Sequence, residues 1–127
     1  MTMPGVRATA LARAGWAGVL LVVPEVVVRA GGPGPVPAAA VTVARVLAAR
    51  HLVQAAASAV SPTGPVAGLG TVVDTLHTGT CVALAATSPR WRRAALLDAA
   101  VEAGFAAAGW AGRAARRRAA RPAAGTL

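Results

Sequence analysis

The stretch ARVLAARHLVQAAASAV, residues 44–60, has the composition of an apolar helix but carries Arg45, Arg50 and His51 within it. In a helix that faces water, these three side chains would mark the wet face. In a lipid bilayer, a charged side chain near mid-membrane costs roughly 2.5–3.5 kcal/mol, and a partner must offset that cost. The fold therefore depends on the solvent that surrounds this helix.

The composition favours lipid as that solvent. Hydrophobic residues make up 56% of the chain beside 14 glycines, and only 13% of the residues are charged, against about 25% charged residues in soluble domains. All basic residues are arginines, and all four acidic residues lie inside apolar segments: Glu25, Asp74, Asp98 and Glu102. Because a small soluble domain cannot bury so much apolar surface, the composition predicts a multi-pass protein of the cell membrane.

Three breakers, GGPGPVP (31–37), SPTGP (61–65) and SPRWRR (88–93), divide the chain into four apolar segments. Proline and glycine end helices because proline lacks a donor and glycine costs backbone entropy. Each segment is close to the ~20 residues that cross a ~30 Å hydrocarbon core. We expect an all-α, membrane-spanning antiparallel four-helix bundle as one domain, 1–112, with an Arg-rich, disordered tail, 113–127. The predicted spans are 10–28, 38–60, 66–87 and 93–112.

Counting outward from the turns predicts which buried charges lie at the same depth, since antiparallel helices rise equally per residue. Arg50 lies 13 residues before Thr63 and Asp74 lies 11 residues after it. The same counting gives a buried polar cluster near mid-membrane, formed by Arg50, His51, Gln54, Asp74, His77 and Glu102. A count around Pro35 places Glu25 level with Arg45, and with Asp98 nearby these residues are predicted to form a second ion-pair layer.

The cluster has two interpretations. In the first, the charges only hold the bundle together, because lone charges in hydrocarbon are costly. In the second, the cluster binds a proton, an ion or a small polar ligand, because one arginine faces two carboxylates and two histidines. A metal bound by His51, His77, Asp74 and Glu102 would match no known spacing, so we expect no metal and no cofactor. Thr78, Thr80 and Cys81 lie near His77 without any catalytic signature, so we expect no enzyme.

The arginines of the tail are predicted to contact anionic lipid headgroups; they are Arg113, Arg116, Arg117, Arg118 and Arg121. Arginines are more numerous at the end that holds both termini than at the other end, which predicts that both termini lie in the cytoplasm. A bundle of four short helices can also pair with itself or with a larger membrane protein.

The runs RVLAARHLVQA (45–55), VVDTLHTGTCVALAA (72–86) and RWRRAALLDAAVEAGFAAAG (90–109) resemble a group of small four-helix integral membrane proteins of actinobacteria. Members of that group show an R-V-L-G-A-R-H-L-V-Q run and a later D-x-L-H pair. Ala48 stands where the group has glycine. The resemblance covers most of residues 10–110 and implies a membrane location and four helices, but no activity.

Three functions remain open from the sequence. The first is a non-enzymatic structural or accessory membrane bundle with an ion-paired core. The second is a small proton-linked carrier or sensor in which Asp74, Glu102 and the histidines change protonation. The third is a basic peripheral helical protein that binds nucleic acid, which we disfavour because the chain has four apolar segments and few aromatic residues.

Overall fold

A computed structural model describes residues 3–121, which form helices and connecting turns with no strand among them. The helices are α1 (Met3–Val22), α2 (Pro24–Arg29), α3 (Ala38–Val60), α4 (Pro65–Thr87) and α5 (Arg92–Ala119). The all-α prediction is confirmed, and α3 has the bounds that the sequence predicted. Residues 3–121 form five helices rather than four.

The first predicted span, 10–28, is wrong as one continuous helix. The helix begins earlier, at Met3, and breaks at Val23, whose φ of −131° and ψ of 48° are not helical. Pro24 occupies the first turn of α2. A proline ring disfavours the helical conformation in the residue before it and removes a backbone donor, which explains the break.

The Gly/Pro loop between α2 and α3 requires glycine at two positions. Gly32 and Gly34 have φ of 142° and 132°, a region that residues with a side chain rarely adopt. At Gly31 the chain approaches the start of α5 so closely that an added Cβ would lie 3.1 Å from the Cβ of Ala94. The loop therefore returns the chain to α3 while lying against α5.

The four long helices pack as two pairs, α1 with α3 and α4 with α5, with fewer contacts between the pairs. Ala17, Leu20, Ala44 and Ala48 form the buried core of the first pair. In the second pair, His77 contacts Asp98, and an added Cβ on Gly109 would contact Thr71. The later residue of α4 therefore lies beside the earlier residue of α5, and the two helices are antiparallel. Small residues at these interfaces let the helices approach closely.

We expect Gly109→Ala to destabilise the protein by about 1–3 kcal/mol through overpacking. The new Cβ would overlap Oγ1 of Thr71 and lie 2.8 Å from its Cγ2. Thr71 is buried, and its hydroxyl donates to the carbonyl of Ala67 at 3.0 Å, so the side chain is not free to turn away. Thermal unfolding of the purified protein measures the loss.

The control is Gly104→Ala on the same helix, where nothing lies within 4 Å of the added Cβ and helix propensity favours alanine by up to about 1 kcal/mol. Equal stability of the two variants would contradict the close packing of α4 on α5.

The predicted disordered tail is wrong over residues 113–119, because α5 continues to Ala119. Alanine and arginine are among the best helix formers, so this segment has no local reason to end the helix at Gly112. Three arginines in the last turn, Arg116, Arg117 and Arg118, also interact favourably with the helix dipole. The rest of the tail, 122–127, lies outside the described residues.

Hydropathy singles out two of the described helices. By length and composition, α4 and α5 are long and apolar enough to cross a membrane. The other two long helices, α1 and α3, do not meet the same criterion within the described residues. The composition of single helices thus gives only weak evidence for a membrane location. A stronger test is whether charged side chains lie in the centre of the bundle and aliphatic side chains on its outer surface.

Candidate functional site

The centre of the bundle is occupied by charged side chains. His51, Asp74 and Glu102 are fully buried, and Arg13 is only 7% exposed. Each of the four long helices contributes at least one group to this site. We refer to it as the ion-pair network, and its members are Arg13 on α1, Arg50, His51 and Gln54 on α3, Asp74 on α4 and Glu102 on α5.

Asp74 is the acceptor at the centre of the network. Its Oδ2 accepts a hydrogen bond from Arg13 at 2.6 Å, and its Oδ1 accepts a second from the same guanidinium at 3.1 Å. The same Oδ1 also accepts from Arg50 at 2.7 Å and from the Gln54 amide at 3.1 Å. The two-pronged contact with Arg13 is the strong geometry for a guanidinium–carboxylate pair. Asp74 therefore holds α1 and α3 against α4.

Glu102 is the second acceptor. Its Oε2 accepts from Arg50 at 3.0 Å, so one terminal nitrogen of Arg50 bridges the carboxylates of α4 and α5. Its Oε1 lies 2.8 Å from Nε2 of His51, but off the line of a good N–H···O hydrogen bond. This close contact is therefore weaker than the bonds from Arg50.

The network balances its own charge. Two guanidiniums, Arg13 and Arg50, face two carboxylates, Asp74 and Glu102, and their formal charges sum to zero. Burying charges is tolerable only when they are paired and hydrogen-bonded, because desolvation of each ion costs several kcal/mol. This balance explains how an alanine-rich core holds four ionised groups.

The same contacts join the two helix pairs. Every arginine–carboxylate pair of the network runs from α1 or α3 to α4 or α5. The guanidinium of Arg13 also lies 4.2 Å from the centroid of the Phe105 ring on α5, within reach of a cation–π contact. Because other contacts between the pairs are few, the network is the main connection across the middle of the bundle.

Sequence reasoning placed five of the six network residues together and missed Arg13. Arg13 looked like an end residue because the first span was expected to begin at residue 10. Since α1 begins at Met3, Arg13 is the eleventh residue of a 20-residue helix and lies at mid-height. Trp16, Ala17 and Leu20 follow Arg13 at the spacing of one helix face. This pattern places Arg13 on the apolar face of α1 and could have predicted that its side chain is buried.

His77, which the sequence placed in the cluster, has a different partner. Its Nε2 lies 2.8 Å from Oδ2 of Asp98, and both contact the thiol of Cys81 at 3.5 Å. His77 lies three residues beyond Asp74, about 4.5 Å further along the helix axis. That rise takes it out of reach of the network and opposite Asp98 on α5.

The predicted second ion-pair layer does not form. Among residues 3–121, Glu25 and Arg45 make no ion pair, Arg45 is exposed, and Asp98 contacts His77 instead. The count around Pro35 assumed that one helix continues from residue 10 to the loop. The break at Val23 removes that register and places Glu25 on the separate helix α2.

The predicted headgroup arginines differ in their surroundings. Arg113 is half-buried, donates to the carbonyl of Gly68 at 3.1 Å and lies 5.2 Å from the centroid of the Trp110 ring. Arg117, Arg118 and Arg121 are exposed. Arg113 therefore ties α5 to α4, and the exposed arginines remain free to meet a charged surface.

A cavity of about 420 Å³ lies beside the network, where the two helix pairs separate toward the end that holds residue 3 and the last turn of α5. Arg13, Arg50, Gln54 and Arg116 are among its lining residues, and its walls are otherwise mostly small and apolar. Nε of Arg50 is buried and has no hydrogen-bond partner among the described residues. The volume falls within the roughly 300–1,000 Å³ of small-molecule sites, so the cavity gives the network a route to its surroundings.

The fold and the network together define a helical bundle with a buried, charge-balanced ion-pair centre. No family model matches this chain, and no curated protein or solved structure matches it either. The resemblance to small actinobacterial membrane proteins therefore stays a prediction.

Proposed function

We propose that this chain is a small integral membrane protein of the cell membrane, in which α1, α3, α4 and α5 span the bilayer and the ion-pair network holds them together. In this proposal the bundle has a structural or accessory role and catalyses no reaction. The observation that supports it most is the inverted distribution of side chains, with charges in the centre and large aliphatic groups outside.

The outer surface is apolar along the long helices. Val60 is 87% exposed, Val22 76% and Leu11 73%, and many other valines and leucines on all four long helices are exposed as well. Soluble monomers rarely expose contiguous apolar patches larger than a few hundred Å². In lipid the same surface costs nothing, because acyl chains are as apolar as leucine.

The ion-pair network offsets the cost of inserting the weakly apolar helices into the bilayer. A helix with two arginines, such as α3, inserts poorly alone, since each arginine near its centre costs roughly 2.5–3.5 kcal/mol. In the bundle the guanidinium of Arg50 contacts Asp74 and Glu102, while Arg45 lies near the start of α3, where its long side chain reaches the interface. The helices thus depend on one another for their stability in the bilayer.

The charge at the two ends supports a cytoplasmic location for both termini. Arg13 belongs to the network, so it is not counted when the arginines at the two ends of the bundle are compared. Six arginines remain near the termini, Arg7 and the five from Arg113 to Arg121, against five toward the other end, which are Arg29, Arg45, Arg90, Arg92 and Arg93, and anionic headgroups of the inner leaflet attract the larger set. In this proposal lipid is the partner of Arg117, Arg118 and Arg121.

Fractionation tests the membrane location directly. We expect the full-length protein to stay in the membrane pellet after washes with high salt and alkaline carbonate, and to be released by detergent. Exposed apolar surface holds it there, and neither wash weakens that interaction. Release by salt alone would contradict the proposal and favour the basic, nucleic-acid-binding alternative, whose binding depends on counterion release.

The cavity favours a second candidate function, a small proton-linked carrier or sensor. It places Arg13, Arg50 and Gln54 on the wall of an open space, so that a proton or a small polar ligand has access to the groups around Asp74. Proton-coupled uptake into liposomes by the Asp74→Asn variant separates the two functions. A variant that folds normally but has an altered pH dependence of uptake supports the carrier, and loss of folding alone supports the structural role.

A further inference from the structure

We propose that His77, Cys81 and Asp98 form a binding site for a divalent transition-metal ion of the zinc class. Nε2 of His77, Sγ of Cys81 and a carboxylate oxygen of Asp98 lie within 4.8 Å of one another. His77 and Cys81 are one helical turn apart on the same face of α4, and Asp98 faces them from α5. This group is separate from the ion-pair network, and no function proposed above uses it.

The distances between the donor atoms fit a tetrahedral site. For Zn–S near 2.3 Å and Zn–N or Zn–O near 2.0–2.1 Å, tetrahedral angles place sulfur roughly 3.5 Å from the nitrogen and from the oxygen. Sγ of Cys81 lies 3.5 Å from both Nε2 of His77 and Oδ2 of Asp98. The nitrogen and oxygen are 2.8 Å apart and would need to separate to roughly 3.3 Å as a metal replaces their hydrogen bond.

The same contacts argue against a nucleophilic triad. In a triad, histidine uses one ring nitrogen toward the nucleophile and the other toward the carboxylate. Here Nε2 of His77 faces both the thiol of Cys81 and the carboxylate of Asp98. Three donors that converge on one point suit a shared ion better than a relay of protons.

The charge and the donor atoms of this group favour a divalent ion of the zinc class. A thiolate, a carboxylate and a neutral imidazole carry two negative charges, so a divalent cation makes the site neutral and lowers the cost of burying its charges. Thiolate and imidazole donors favour zinc and its neighbours over magnesium or calcium, which prefer oxygen ligands. Three protein ligands leave the fourth position of a tetrahedral ion open.

The group also contains a buried polar atom that has no hydrogen-bond partner within residues 3–121. Oδ1 of Asp98 is buried and has no hydrogen-bond partner among the described residues. The side chains of His77 and Asp98 are 22% and 12% exposed, so the group lies near the surface of the α4–α5 pair. The free Oδ1 can serve as a second carboxylate contact to the ion.

Metal binding by the purified full chain, free of any polyhistidine tag, tests the proposal. After equilibration with Zn²⁺ and dialysis, we expect one zinc per chain by elemental analysis. Co²⁺ in its place should give a sulfur-to-metal charge-transfer band in the near ultraviolet. Cys81→Ser should abolish that band, and both Cys81→Ser and Asp98→Asn should weaken zinc binding roughly tenfold or more. Glu25→Gln removes a carboxylate outside the group and should bind zinc as the unaltered chain does.

Substoichiometric zinc, a missing charge-transfer band, or binding that all three variants share would overturn the site. A measurement on the unaltered chain covers the case in which the variants fail to fold. Thermal unfolding of the unaltered chain should shift to higher temperature with Zn²⁺, return with a chelator and not respond to Mg²⁺. An unfolding temperature that zinc leaves unchanged would also overturn the proposal.

Discussion

Asp74→Asn should destabilise the bundle by about 3–5 kcal/mol, the largest loss that we expect from a single substitution. Asp74 is fully buried and accepts hydrogen bonds from Arg13, Arg50 and Gln54. Asparagine keeps the shape but removes the negative charge. Arg13 then has no carboxylate partner, and Arg50 keeps only Glu102. Thermal unfolding in detergent and the yield of folded protein in membranes measure the effect.

A second substitution shows that charge balance causes this loss. The double variant Arg13→Met/Asp74→Asn removes the uncompensated guanidinium and leaves Arg50 paired with Glu102. We expect it to regain roughly 0.5–3 kcal/mol relative to Asp74→Asn alone, the usual coupling between contacting residues. The matched control, Glu25→Gln, changes a carboxylate that forms no ion pair among the described residues and should shift stability by about 0.5 kcal/mol or less. An Asp74→Asn protein as stable as the unaltered chain would show that the network does not hold the helix pairs together.

Leu76→Arg should lower insertion and stability in a bilayer by about 3 kcal/mol. Leu76 is the twelfth of the 23 residues of α4 and is 67% exposed, so in the proposed orientation it faces acyl chains at mid-membrane. The arginine costs roughly 2.5–3.5 kcal/mol there, and a favourable leucine is lost. The fraction of protein that resists alkaline extraction and the melting temperature in lipid report the change.

Val60→Arg is the matched control because it introduces the same residue at the end of α3. Val60 is 87% exposed and adjoins the turn, so an arginine at this position reaches the headgroups at little cost. In a soluble protein both positions would face water, and both substitutions would change stability by about 0.5 kcal/mol or less. Equal effects at the two positions would therefore contradict the membrane-spanning proposal.

The sequence alone determined the helical class and most helix boundaries. Breakers are local signals, since a cluster of prolines and glycines disfavours a helix through its own backbone chemistry. For this reason the bounds of α3 were predicted correctly, and those of α4 differ by one residue at its start. The local effect of Pro24 on Val23 was also readable from the sequence, but the apolar run that continues past it concealed the break.

The pairing of the charges was decided by the tertiary structure. Counting from a turn gives the depth of a residue, and depth alone placed Arg50 beside Asp74 correctly. The partner also depends on rotation about the helix axis and on where each helix begins. These two quantities directed His77 to Asp98 and brought Arg13 to the centre. The rotation is not encoded in the spacing of residues along one helix, because it is set by how the four helices pack against one another, and the start of α1 at Met3 lies outside the apolar run that marks this helix in the sequence.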